Sequence, residues 1–222
     1  RTAKGQRKPI GDDNLGEPQD GYDVISTIDV NIQDIAHHAL LASLEKFEAD
    51  HGCVVVMETK TGEIKAISNL GRTEDGDGYY EDRNYAVYES AEPGSTFKMI
   101  TIAAALNEGL ISPDQEFFCE EGKYKIGRNL IHDSSPHGIM TLKQVLKKSS
   151  NICAAKIGMR IPPARFHEYI LRFGFGQRPN SGVAAEASGR LISPKKWQTI
   201  DHANISFGQA ILVSPLQMVS AA

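Results

Sequence analysis

Residues 92–98 read Glu92-Pro93-Gly94-Ser95-Thr96-Phe97-Lys98 and run straight into Met99-Ile-Thr-Ile-Ala-Ala-Ala-Leu106, a stretch of helix formers that stops at Gly109. Pro93 and Gly94 shape the approach to a helix, and Gly109 supplies the left-handed residue that commonly follows one. This pattern predicts Ser95 in the first turn of the helix, with Lys98 three residues on and on the same face. A serine hydroxyl is a weak nucleophile until a neighbouring base takes its proton. Lysine can be that base only when neutral, and both burial and the partial positive charge of a helix N-terminus favour its neutral form. Ser-x-x-Lys occurs three times in the chain. Ser43-Leu-Glu-Lys46 falls inside an amphipathic helical pattern and Ser193-Pro-Lys-Lys196 in a turn-like segment, so neither places a hydroxyl at the mouth of a helix. Context selects Ser95, against the plainer alternative of an N-capping serine beside a solvated lysine.

The 222 residues suffice for one substantial domain, or for one domain with a fragment of another. A net charge of -4 with interspersed signs argues against nucleic acid or an anionic membrane surface as partner. No apolar run is long enough to span a bilayer, and Arg1-Thr-Ala-Lys-Gly-Gln-Arg-Lys8 has no apolar region behind its charges, so it does not read as a signal peptide. The three cysteines, Cys53, Cys119 and Cys153, are odd in number and far apart, which predicts no disulfide framework and no zinc site. No cofactor or metal is expected: His37 and His38 point in different directions on a helix, and Asp75-Gly-Asp-Gly78 lacks the ligand spacing of a calcium loop.

Residues 1–21 are polar and broken by Pro and Gly, with the character of a linker or the tail of a preceding domain, which puts a domain at 22–222. Tyr22-Asp-Val-Ile-Ser-Thr-Ile28 predicts a short strand. Asp29 predicts the cap of a helix with Ile32, Ile35, Ala36, Ala39, Leu40, Leu44 and Phe47 as its apolar stripe. Gly52–Met57 and Glu63–Ser68 predict a hairpin. Residues 112–138 read as irregular. Thr141-Leu-Lys-Gln144 is a capping box heading a helix with Leu142, Val145 and Leu146 inward, and a second helix starts just after Ser149-Ser-Asn151. Pro163 begins another, with Phe166, Tyr169, Ile170 and Phe173 on one face, and Ser214-Pro-Leu-Gln217 opens the last.

Ser95-x-x-Lys98 followed by Ser149-x-Asn151 resembles the first two motifs of the penicillin-recognising serine acyltransferases, in their order. Ser26-Thr-Ile-Asp-Val-Asn-Ile-Gln33, the Thr59–Ile64 hairpin turn, Glu92–Lys98 and Ser206-Phe-Gly-Gln…Ser214-Pro-Leu-Gln217 extend the resemblance to class B penicillin-binding proteins, the monofunctional peptidoglycan transpeptidases. Glu92, where elongation-type members usually carry a second Pro, leans toward the division-type septal enzyme.

The resemblance implies Ser95 as acylated nucleophile, Lys98 as base, Ser149 as proton relay to the departing D-alanine and Asn151 as an orienting amide. It implies peptidoglycan stem peptides ending in D-Ala-D-Ala as substrates and β-lactams as inhibitors. A glycosyltransferase and other division proteins would be partners, and the site would lie at the periplasmic face of the inner membrane, anchored by a segment preceding this chain. The implied fold is α+β, an antiparallel sheet packed on helices beside an all-helical region from about Tyr88 to Phe173. The family's third motif, Lys-Thr-Gly on a strand lining the cleft, has no counterpart after Asn151. Lys60-Thr-Gly62 shares its spelling but precedes the serine and falls in a hairpin turn. The expectation is therefore a transpeptidase domain lacking its C-terminal strands. The rival readings are a non-catalytic β-lactam sensor or division scaffold of the same fold, and a serine β-lactamase.

Overall fold

The computed structural model describes residues 21–81 and 83–222, so the expected linker lies almost wholly outside the described residues. Helix α1 (Val30–Phe47) opens at Asp29, whose Oδ1 accepts the N–H groups of Asn31 and Ile32 at 2.9 and 3.1 Å. Its buried ridge is Ala36, Leu40 and Leu44, one i, i+4 row seated on Leu70 and Val54 of an antiparallel hairpin, β1 (His51–Met57) and β2 (Ile64–Arg72). The ridge is narrower than the sequence pattern implies, and Ile35 and Phe47 are 68% and 71% exposed. The strand expected at 22–28 does not form. A period-two pattern becomes a strand only where a neighbouring edge takes its backbone bonds. Here Thr27 Oγ1 and Asp29 N reach the Ile64 and Lys65 carbonyls, while Tyr22, Val24 and Ile25 stand exposed.

Beyond a two-residue strand, β3 (Tyr79–Tyr80), on the far side of β2, and the short helix α2 (Tyr85–Tyr88), the chain enters the region that carries the site. Helix α3 (Lys98–Asn107) is its centre, ending just before Gly109 at φ +65°. Around it lie α5 (Asn151–Gly158), α6 (Pro163–Arg172) and α7 (Thr199–Ile205), and Phe97, Ile100, Ala104, Ile157, Phe166, Ile170 and Ile205 form the core between them. Helix α8 (Pro215–Ala221), opened by a Ser214–Gln217 capping box, packs back on β1.

The region is not all-helical as expected. Residues 112–141 fold into two small antiparallel pairs, β4 (Glu116–Phe118) with β7 (Ile139–Thr141) and β5 (Lys123–Ile126) with β6 (Asn129–His132). Pieces of three or four residues are too short to display a period. The capping box at Thr141 forms as read and heads α4 (Leu142–Lys148), where Leu142 and Val145 are buried but Leu146 faces solvent.

The cysteines also depart from expectation. Cys119 and Cys153 are joined by a disulfide across a sequence separation of 34, with Cα atoms 5.2 Å apart, and both are fully buried. An odd cysteine count argues against a framework of several bridges, but it does not exclude one bridge and one free thiol, here Cys53.

Candidate active site

Ser95 does sit at the head of a helix, but on a 3-10 turn (Gly94–Phe97) that hands over to α3, with Gly94 at φ +56°. Lys98 is the first residue of α3 and is 1% exposed. A buried lysine needs partners for its nitrogen, and they come from the break between α4 and α5. Ser149 ends α4 in the left-handed conformation (φ 55°, ψ 44°), and Ser150 caps α5 by accepting the Cys153 N–H at 3.0 Å. The reversal presents two residues of the junction, Ser149 and Asn151, to Lys98. Its Nζ lies 3.0 Å from Ser95 Oγ, 2.6 Å from the Ser149 carbonyl oxygen, 2.9 Å from Ser149 Oγ and 2.8 Å from Asn151 Oδ1. All four residues singled out in the sequence meet at one nitrogen.

Burial lowers the Lys98 pKa from its ordinary 10.5 to about 8, with the Asp133 carboxylate pulling it back upward. A pKa this low lets part of the amine be neutral near physiological pH. The geometry suits that form. A neutral amine has two N–H groups and one lone pair, and the Ser149 carbonyl and Asn151 Oδ1 are pure acceptors for the two N–H groups. The lone pair is then left to accept a proton from a serine hydroxyl, and Ser95 stands within reach.

The approach to Ser95 is laced to the segment 206–213. Ala91 and Val213 exchange backbone hydrogen bonds at 2.9 and 3.0 Å, Glu92 Oε1 accepts the Ala210 N–H at 2.8 Å, and Gly94 N donates to Gly208 O at 2.9 Å. Gly208 has φ +84°, and a Cβ there would lie 2.0 Å from the Gly94 oxygen. The contact holds the serine turn from behind, and Thr101 Oγ1, donating to Ser206 O at 2.8 Å, extends it along α3. Beside Asn151 opens a cleft of about 360 Å³, lined by Asn129, His132, Asn204 and Gln209 with Ile200 and Phe207.

The other Ser-x-x-Lys matches stay apart from this centre. Ser43 Oγ donates to the Ala39 carbonyl inside α1, and Ser193 precedes a 3-10 turn, Pro194–Lys196. Lys60-Thr61-Gly62 forms the β1–β2 turn, with Gly62 at φ +74°.

The penicillin binding protein transpeptidase domain matches residues 52–222. The chain belongs to that family. Curated transpeptidase relatives include the probable peptidoglycan D,D-transpeptidase PenA of Neisseria flavescens, 34% identical over 92% of this chain and 52% of the relative. Stage V sporulation protein D of Bacillus subtilis is 32% identical over 99% of the chain and 35% of the relative. Peptidoglycan D,D-transpeptidase FtsI of Buchnera aphidicola is 30% identical over 96% and 38%. Among solved structures, the transpeptidase domain of Burkholderia pseudomallei penicillin-binding protein 3 superposes with a TM-score of 0.82 at 32% identity, covering 91% of this chain and 58% of that one. The expected mixed architecture is thus that of the transpeptidase family, in part: the chain spans about half or less of the length of these curated relatives.

Two groups that support the site escaped the sequence reading. Asp133 carried no signal, lying in a stretch read as irregular. Gly208 lies in the Ser206-Phe-Gly-Gln209 motif, yet its contact with Gly94 joins residues far apart in sequence.

Proposed function

We propose that Ser95 is the acylated nucleophile of a peptidoglycan D,D-transpeptidase, with Lys98 as its base, Ser149 as proton relay and Asn151 as an orienting amide. The observation that carries this reading is the buried Nζ of Lys98, within 3.0 Å of Ser95 Oγ, both Ser149 oxygens and Asn151 Oδ1. Ser95 Oγ attacks the carbonyl carbon between the two terminal D-alanines while its proton passes to Lys98. The C–N bond then breaks, and the departing amine takes a proton from Lys98 through Ser149, whose Oγ is 2.9 Å from Lys98 Nζ. An amine of a second stem peptide attacks the resulting ester, closing the cross-link and restoring the serine. β-Lactams would enter the same first step and stop at the ester.

The substrate class is supported by family membership and by the activity in two relatives' names. A role in septal synthesis is supported by the relative named FtsI and by Glu92. In that role a glycosyltransferase and other division proteins would be partners, and the domain would act at the periplasmic face of the inner membrane. Residues 22–222 would then be part of a transpeptidase domain whose sheet continues with a further strand against β1. Among the described residues β1 pairs with β2 alone, so its other edge is open to such a strand. The test is labelling of the full-length protein containing these residues with a fluorescent penicillin. A long-lived adduct together with release of D-alanine from a D-Ala-D-Ala stem peptide supports transpeptidation, a long-lived adduct without that release would indicate a β-lactam sensor, rapid release of hydrolysed product a β-lactamase, and no adduct a scaffold.

A further inference from the structure

We propose that Asp133, immediately after β6, is a positioning residue for acyl transfer, fixing the Ser149-Ser150-Asn151 segment so that its polar groups meet Lys98. The inference rests on the reading of Ser95 and Lys98 as nucleophile and base.

The Asp133 carboxylate gathers three donors from this segment. Oδ2 accepts from Ser150 Oγ at 2.6 Å, and Oδ1 accepts the N–H groups of Asn151 and Ile152 at 2.6 and 3.1 Å. Ser150 Oγ in turn accepts the Cys153 N–H at 3.0 Å. The first three N–H groups of α5, which no helix can satisfy internally, are therefore all taken by Asp133 and the hydroxyl it holds. Bonds to an ionised acceptor are stronger than neutral ones, and a negative charge suits a helix N-terminus.

The preceding residue sets the rotation of the amide. His132 O accepts from Asn151 Nδ2 at 3.1 Å. A carbonyl can face only the NH₂ end, so Oδ1 is turned toward Lys98. Asp133 is itself anchored through its N–H to Gly122 O at 3.2 Å. The His132–Asp133 pair thus fixes both the start of α5 and the orientation of the Asn151 side chain, while neither residue is among the hydrogen-bond partners of Lys98 Nζ.

The charge of Asp133 works against the base. The groups facing Lys98 are Ser95, Ser149 and Asn151, all uncharged, together with the more distant Asp133, whose negative charge favours the ammonium form. Any benefit of Asp133 to the rate must then come from geometry, and the two effects separate on substitution. Losing the carboxylate should lower the maximum acylation rate, through a disordered Asn151. It should also move the pH midpoint of that rate downward, because Lys98 loses the neighbour that favours its protonation.

The test measures β-lactam acylation rates against pH for the full-length protein and its D133A and D133N forms, each normalised to the fraction that finally labels. For D133A the expected result is a maximum rate lower by at least roughly tenfold together with a lower midpoint. D133N, whose carbonyl oxygen can still accept the α5 N–H groups, should share the lowered midpoint and recover part of the rate. If D133A does not fold, D133N alone decides by the same two readouts. For D133A a maximum rate within about threefold of wild type, for D133N an undiminished maximum rate, or for either form a fall in rate with an unmoved midpoint, would overturn the inference alone. Persistent labelling of S95A would overturn instead the reading on which it rests.

Discussion

The Nζ of Lys98 lies closer to the backbone carbonyl of Ser149, at 2.6 Å, than to its hydroxyl at 2.9 Å. The lysine is therefore held in part by a group that no side-chain substitution removes. What that carbonyl requires is the left-handed backbone at position 149, with φ 55°. Ser149→Ala should keep the carbonyl contact, leaving the pH midpoint of acylation in place while the rate falls by about 10²-fold through loss of the proton relay. Ser149→Val should do worse, because a β-branched residue is strained in that conformation. Stopped-flow acylation of the two variants against pH checks this, and equal rates for Ala and Val would contradict it.

Lys98 should set the pH dependence of the site. With a pKa near 8 the neutral base is scarce at low pH, so acylation should rise as pH increases through about 8 and level off above it. The folded value lies below the ordinary 10.5, so the unfolded chain binds the proton more tightly. The resulting stability penalty is fully present below about pH 8 and is relieved as pH rises from there toward the unfolded value. Lys98→Arg should be nearly as inactive as Lys98→Ala, since a guanidinium keeps its proton in proteins. An Arg variant acylated within about tenfold of wild type, a barrier change under roughly 1.4 kcal/mol, would make Lys98 an electrostatic partner instead.

Gly208→Ala should damage the reaction from behind. The added Cβ would meet the Gly94 oxygen at 2.0 Å, and with φ +84° the backbone cannot take a side chain without strain, so the Pro93-Gly94-Ser95 turn must move. Gly109→Ala is the control, because its φ of +65° is equally unfavourable but its Cβ would enter open space. Both should lose about 1 kcal/mol or more of stability, and only Gly208→Ala should slow acylation. Thermal unfolding alongside acylation kinetics separates the two costs.

The site was legible in the sequence where local rules set it. Ser95 and Lys98 are related by helical spacing, the Thr141 box starts α4 as written, and the junction after Ser149 follows from a second run of helix formers. The apolar stripe of α1 extends to Ile35 and Phe47 in the sequence but not in the core, because periodicity shows which residues could face a core but not how wide the contact is. Asp133, the Cys119–Cys153 bridge and the Gly94–Gly208 contact were invisible for one shared reason. Each joins segments distant in the chain, and neither spacing nor propensity encodes a partner that only the tertiary fold supplies. The strand expected at Tyr22–Ile28 fails from the same cause in reverse, since its pattern is adequate but the facing edge of β2 is taken by Thr27, Asp29 and Gln33 instead.

The disulfide should support α5 as well as stability. Closing a loop of this length is worth about 3–4 kcal/mol on chain-entropy grounds. Cys153 lies two residues after Asn151, so releasing it loosens the helix that presents the amide. Cys119→Ala/Cys153→Ala should therefore lower the midpoint of urea unfolding and slow acylation by several-fold, whereas Cys53→Ala should do neither to a comparable degree. Unchanged unfolding of the double variant would show that the bridge contributes nothing.

The central claim is that Ser95, among three serines with a lysine three residues on, is the group acylated. Incubating the full-length protein with a penicillin, digesting it and locating the adduct by tandem mass spectrometry tests this directly. The account predicts one adduct, on the peptide containing Ser95, present in the Ser43→Ala and Ser193→Ala proteins and absent from Ser95→Ala. An adduct on any other residue, or undiminished labelling of Ser95→Ala, would contradict it.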